Sequence, residues 1–126
     1  MARVLQLEMT KLTSEPFVNL VAGIFHGAMH DWQHAYNVIK QLGGEEAAYN
    51  QWIQDRELLN NNPALYNTYS HIQYRAKRYS NAMRTIVEIQ NFIKSKWFNE
   101  LCCCIELDPD AVIKEFYDIK NHILKV

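Results

Sequence analysis

With 126 residues, 48% of them hydrophobic and 21% charged, the chain has the size and composition of one globular domain, which excludes disordered and low-complexity classes. The 13 Lys and Arg against 14 Asp and Glu leave a net charge of −1, so a general polyanion binder is excluded and any nucleic-acid site has to be local. The N-terminus MARVLQLEMTKL lacks a basic region followed by a long apolar run, and no stretch approaches the roughly 20 apolar residues that span a bilayer. The expectation is a protein that is neither secreted nor embedded in a membrane.

In chain order, residues 1–14 read as an arm in which Leu5, Leu7 and Met9 alternate like a strand, with no partner strand in sight. Ser14 is placed to cap a helix with Pro16 in its first turn, and the run from Phe17 to Leu42 stops at Gly43 and Gly44. Phe17, Leu20, Val21, Ile24, Ala28, Trp32, Ala35, Ile39 and Leu42 predict its buried stripe. Gly23 and Gly27 each cost roughly 1 kcal/mol there relative to Ala unless close packing requires them. Residues 45 to 59 predict a shorter helix turning Ala48, Trp52, Ile53 and Leu59 inward.

Asn60, Asn61 and Asn62 before Pro63 predict a turn and a new helix, with Asn62 as its cap. Leu65, Tyr69, Ile72, Ala76, Tyr79, Met83 and Ile86 alternate spacings of four and three, and the frame runs on through Ile93 and Trp97. That heptad predicts packing at a shallow angle, within a bundle or across a dimer. After a break at Leu107, Asp108 and Pro109, Asp108 is placed to cap a last helix to about Leu124, with Val112, Phe116 and Ile123 inside. The expected fold is all-α, a single-domain bundle of about four to five helices with one long heptad-patterned helix. Its parts are the arm, main helices over 15–106, and a C-terminal turn and helix over 107–126.

Four constellations bear on chemistry. His26, His30 and His34 recur every four residues, as metal ligands on a helix do, but they lie opposite the apolar stripe and read as a solvated row; no metal or cofactor is expected. Asp31 falls at the stripe's edge, where an unpaired carboxylate is costly, and looks for a partner among Arg75, Arg78 and Arg84. Cys102, Cys103 and Cys104 are adjacent, unlike C-x-x-C pairs, and read as small, buried, reduced hydrophobes. The segment from His71 to Arg84 interleaves Tyr74 and Tyr79 with Arg75, Lys77, Arg78 and Arg84 and has no acidic residue.

Guanidinium groups beside aromatic rings hold phosphate and stack bases, so Tyr74, Arg75, Lys77, Arg78 and Arg84 form the candidate partner-binding site. The competing reading makes Tyr79 core and pairs the cations with Glu45, Glu46, Asp55 and Glu57 on the neighbouring helix. No Gly-rich phosphate loop, Ser-His-Asp order or nucleophile elbow is present in the sequence, and the expectation is a protein that is not an enzyme.

The stretch from Trp97 to Ile119 has the layout of a helix-turn-helix, although Asp108, Asp110, Glu115 and Asp118 on its second helix repel phosphate. An Ala-x-x-Asp-aromatic element at Ala28, Asp31 and Trp32, and a Phe-x-x-Ser-x-Trp-Phe element at Phe92, Ser95, Trp97 and Phe98 followed by Leu107 to Phe116, resemble small uncharacterised helical proteins of phages and prophages. The resemblance covers the first helix and the last third of the chain. It implies phage origin and a small helical fold, not an activity, and with the thiols read as reduced the expected location is the host cytoplasm. Proteins of that setting suggest a stoichiometric antagonist of a host defence system, anti-CRISPR-like or nucleotide-sequestering, whose partner is a host protein, a protein–nucleic-acid complex or a nucleotide. The alternative is a DNA-binding transcription regulator or assembly adaptor. The heptad face, with 7 tyrosines and 3 tryptophans, adds the expectation of a homodimer.

Overall fold

A computed structural model describes residues 16–62 and 70–125; the N-terminal arm, the Ser14 cap, Pro63 and the Leu65 and Tyr69 heptad positions fall outside them. Among the described residues the chain is an all-α bundle without strands: α1 (Pro16–Gln41), α2 (Glu45–Asn61), α3 (Ser70–Ile93), α4 (Lys96–Cys104) and α5 (Pro109–Leu124). α1 is the central rod, lying along α3 and α5, while α2 packs on α3 and α4 bridges α3 to α5. None of these helices is long and apolar enough to cross a membrane.

The corner after α1 is built by two glycines. Gly43 N donates to Lys40 O and Gly44 N to Ile39 O, each at 3.0 Å, and both residues have positive φ, 106° and 104°. This is the left-handed helix end that glycine adopts without a Cβ penalty. Asn62 closes α2 as its C-cap, and its Nδ2 donates to Leu58 O at 2.8 Å.

The buried face of α1 differs from the expected stripe. Val21, Ala22, Phe25, Met29, Trp32, Ala35, Tyr36, Val38 and Ile39 are buried, whereas Phe17 and Leu20 are 55% and 62% exposed. Two neighbours, α3 and α5, cover α1 from different sides, so the buried arc is wider than one stripe and is centred near Trp32, reaching Ala22 and Met29 on one side and Val38 on the other. The same rotation turns Asp31 to solvent, where it forms no ion pair with a described residue. The carboxylate that needed an arginine is Asp55, 2% exposed on α2.

α3 keeps its frame from Ile72 through Ala76, Tyr79 and Ile86 to Ile93, and buries Ala82 and Ile89 as well because it faces both α1 and α2. The frame does not extend to Trp97, which is 53% exposed. Ser95 interrupts it: its Oγ donates to Phe92 O at 2.6 Å, closing α3, and accepts from Phe98 N at 3.1 Å, opening α4. The change of direction seats Phe98 against Phe25 and Phe92, with ring centroids 5.4 and 5.3 Å away.

Trp32 is fully buried and joins α1 to α5. Its Nε1 donates to Phe116 O at 2.6 Å, and its ring meets Phe116 and Tyr117 edge-on, each at 5.6 Å. Val112, Phe116 and Ile123 are buried, with Asp108 Oδ1 capping Asp110 N and Pro109 in the first turn, as the sequence predicts.

Candidate functional site

The basic segment lies on α3, and its members divide by the partners they meet. Tyr79 is core: it is 8% exposed, stacks at 5.6 Å on Trp52, and burial pushes its hydroxyl above the ordinary phenol value. Arg75 is committed to Asp55 through two hydrogen bonds of 2.7 and 2.8 Å. Among the described residues Arg78 pairs with no carboxylate; its Nη2 donates to Gln41 Oε1 at 2.6 Å and its guanidinium lies 5.9 Å from the Tyr74 ring. Arg84 donates to Asn81 Oδ1 at 3.3 Å, and Lys77 and Tyr74 are exposed.

α1 and α3 leave a groove of about 360 Å³ between them, lined by Asp31, His34, Ala35 and Val38 on one side and Arg78, Asn81, Ala82 and Thr85 on the other. Tyr74, Arg78, Asn81 and Thr85 follow at intervals of four, three and four, so they form one ridge of α3 along the groove. The groove thus brings one member of the predicted site, Arg78, together with Asp31 and His34 from α1, while Tyr74 lies beside Arg78 outside the lining. Arg75 is turned away to α2. Sequence reasoning missed Asn81, Thr85 and Gln41; the ridge spacing is the signal that leads to the first two.

Charge is distributed unevenly around the bundle. α1 and α3 together carry Lys40, Arg75, Lys77, Arg78 and Arg84 against Asp31 and Glu88, while α2 carries Glu45, Glu46, Asp55 and Glu57 against Arg56. The near-neutral total therefore conceals an excess of cations on α1 and α3, of which Arg78 lines the groove and Arg75 is paired with Asp55. Asp108 caps α5 and Asp110 lies in its first turn, so the second helix of the expected helix-turn-helix presents an acidic N-terminus.

The remaining constellations are elsewhere. His26, His30 and His34 are exposed, and no group of three or more His, Cys, Asp or Glu among the described residues is arranged to hold a metal ion. Only Cys102 of the thiol run is buried; Cys103 and Cys104 are exposed, because adjacent helical positions point about 100° apart. A second cavity, of about 250 Å³, lies among Tyr36, Tyr79, Gln90 and Lys120. Lys120 Nζ sits 5.5 Å from the Tyr36 ring and 3.6 Å from Glu45 Oε2. Burial, with Glu45 and Tyr117 nearby, pushes the Tyr36 hydroxyl up to about 12.

The fold and site define an all-α bundle with a mixed-charge interhelical groove. No protein-family model, curated protein or solved structure matches the chain.

Proposed function

We propose that this chain is a non-enzymatic binding protein that engages an anionic partner stoichiometrically through the α1–α3 groove. In the phage setting that its resemblance implies, the role is antagonism of a host defence system in the host cytoplasm. It occupies a nucleotide or nucleic-acid site on a host complex, or sequesters a nucleotide signal, and it works as a homodimer.

One observation carries the reading. Arg78 donates to the neutral side chain of Gln41 and to no carboxylate of a described residue, so its charge remains available to a ligand. A guanidinium steered in this way is a phosphate receptor, and Lys77 and Arg84 on the same helix extend its field. Tyr74, 66% exposed beside Arg78, offers a ring for stacking.

The test is fluorescence anisotropy with labelled nucleotides, single-stranded DNA and duplex DNA at low and moderate salt, using the parent protein and Arg78→Ala. Binding that weakens as salt rises and is lost in the variant supports the reading. Unchanged affinity in Arg78→Ala moves the site elsewhere. A preference for duplex over every nucleotide and single strand favours the DNA regulator instead. Sedimentation gives the oligomeric state, and a strict monomer removes the dimer from the proposal.

A further inference from the structure

We propose that the α1–α3 groove selects a guanine nucleotide, an inference that rests on the anion-binding reading of the same groove and names its ligand. The starting observation is that Asp31 and Arg78 line one groove without forming an ion pair with each other. Opposite charges that line one groove of about 360 Å³ and are not paired with each other suit a ligand that offers both a phosphate and a cluster of N–H donors.

Asp31 distinguishes among anionic ligands. A bare phosphate gains from Arg78 and is repelled by the carboxylate, so the groove is poorly made for a phosphate chain alone. An ionised carboxylate only accepts hydrogen bonds, and its two oxygens match two donors side by side. Guanine presents that pair at N1–H and the N2 amine. Adenine and cytosine place a ring acceptor beside their amine, and uracil flanks its one N–H with carbonyls, so each sets a lone pair against Asp31.

The rest of the lining agrees with this placement. Ala35, Val38 and Ala82, buried between the two helices, form a small apolar floor of the groove against which a planar base can rest. Asn81 supplies an amide for the base carbonyl, and Thr85 a hydroxyl for the sugar or the base edge. Arg78, anchored by Gln41, takes the phosphate. The volume is within the roughly 300–1,000 Å³ of small-molecule sites.

The experiment is isothermal titration of the whole protein with GMP, AMP, CMP, UMP, ribose 5-phosphate and inorganic phosphate, repeated with Asp31→Asn and Arg78→Ala. GMP should bind roughly tenfold or more tighter than the other nucleotides, the discrimination expected of one bidentate pair. Asp31→Asn should erase that preference while UMP and ribose 5-phosphate keep their affinity; because Asp31 is exposed, this variant tests the idea without disturbing the core. Arg78→Ala should weaken every phosphorylated ligand alike, with circular dichroism confirming that it folds. Equal affinity for all the nucleotides, or a preference for another base, overturns guanine selection and leaves the anion site standing. Binding of oligonucleotides but of no mononucleotide does the same. Absence of any anion binding removes both proposals.

Discussion

Asp55 and Arg75 join α2 to α3 through a two-point pair, with Arg75 Nε on Oδ2 at 2.8 Å and Nη2 on Oδ1 at 2.7 Å. Gln51 Nε2 adds a third donor to the carboxylate at 2.9 Å. α2 fully buries only Ala48 and Asp55, so this pair is a main attachment, beside half-buried Trp52, which stacks on Tyr79 and donates to Ser80 Oγ, and the Glu45–Lys120 ion pair to α5.

Asp55→Asn should therefore loosen α2. Removing one partner of a wholly buried pair costs roughly 3–5 kcal/mol, but the Arg75 side chain is 38% exposed and water takes up part of its charge, so a loss of about 2 kcal/mol is expected. Burial by itself raises the Asp55 carboxyl; the hydrogen bonds from Arg75 and Gln51 and the Arg75 charge outweigh it and hold the group below its ordinary value of 3.8. A depressed folded-state value means that the unfolded chain binds the proton first. The stabilisation is thus complete above the ordinary value and disappears as pH falls through the lower folded one. Urea unfolding of the parent and Asp55→Asn across that acid range should show the gap closing. A gap that stayed constant would contradict the assignment.

Glycine stands on α1 where the backbone does not need it and is missing after α4 where the backbone does. Gly23 and Gly27 are exposed, and a Cβ added at either meets nothing within 4 Å. Gly23→Ala and Gly27→Ala should each stabilise by about 1 kcal/mol. Glu106 sits at φ 59° in the left-handed region, where Leu107 N closes α4 by donating to Cys102 O at 2.9 Å. That conformation costs a side-chain-bearing residue roughly 1–2 kcal/mol, of which the unfolded-state freedom of glycine takes back 0.5–1. Glu106→Gly should thus gain about 0.5–1 kcal/mol. Thermal unfolding of the three variants checks the signs, and a loss in the alanine variants would mean that a partner packs on that face of α1.

The helices were legible in the sequence wherever punctuation was strong: the two glycines after α1, and Asp108 with Pro109 before α5, stand where the chain turns. Facing was harder. The stripe through Phe17 and Leu20 assumed one neighbour for α1, but periodicity does not reveal that Phe25 packs on Phe92 and Phe98 of α3 and α4 while Trp32 packs on Phe116 and Tyr117 of α5. The heptad was likewise read through Trp97, because Ser95 looks like any polar heptad position until its hydroxyl is seen bonding both helices.

The site was partly legible for the same reason. The acid-free run from His71 to Arg84 pointed to α3, and the competing reading named Asp55 among the partners of its cations. Which arginine takes which partner depends on the 20-residue separation of Asp55 and Arg75 and the 37-residue separation of Gln41 and Arg78, and neither has a local signature.

The thiol run should behave as two reactive groups and one protected group. Burial pushes the Cys102 thiol up to about 11, with Cys103 and Asp108 adding to the effect, and its side chain is fully enclosed. Alkylation follows the thiolate, so Cys102 should resist iodoacetamide at neutral pH in the folded protein. Cys103 and Cys104 are exposed and should be labelled first. Mass spectrometry should find two adducts under native conditions and three in denaturant; three native adducts would show that α4 opens readily from the bundle.

Arg75 and Arg78 are three residues apart on α3, and alanine at each should separate stability from binding. Arg75→Ala leaves the Asp55 carboxylate buried without its charged partner, so the melting temperature should fall while the groove keeps its lining. Arg78→Ala removes a side chain whose hydrogen-bond partner, Gln41, is exposed and can turn to water, and stability should change by no more than about 0.5 kcal/mol. Anion binding should respond in the opposite order. It should persist in Arg75→Ala below its melting temperature, and it should be lost in Arg78→Ala or keep a salt dependence shallower by about one phosphate contact. Circular dichroism melts and anisotropy titrations on the same samples measure both quantities. A loss of binding confined to Arg75→Ala would shift the receptor to the α2 side of α3, where Asp55 would then act as the gate on its charge.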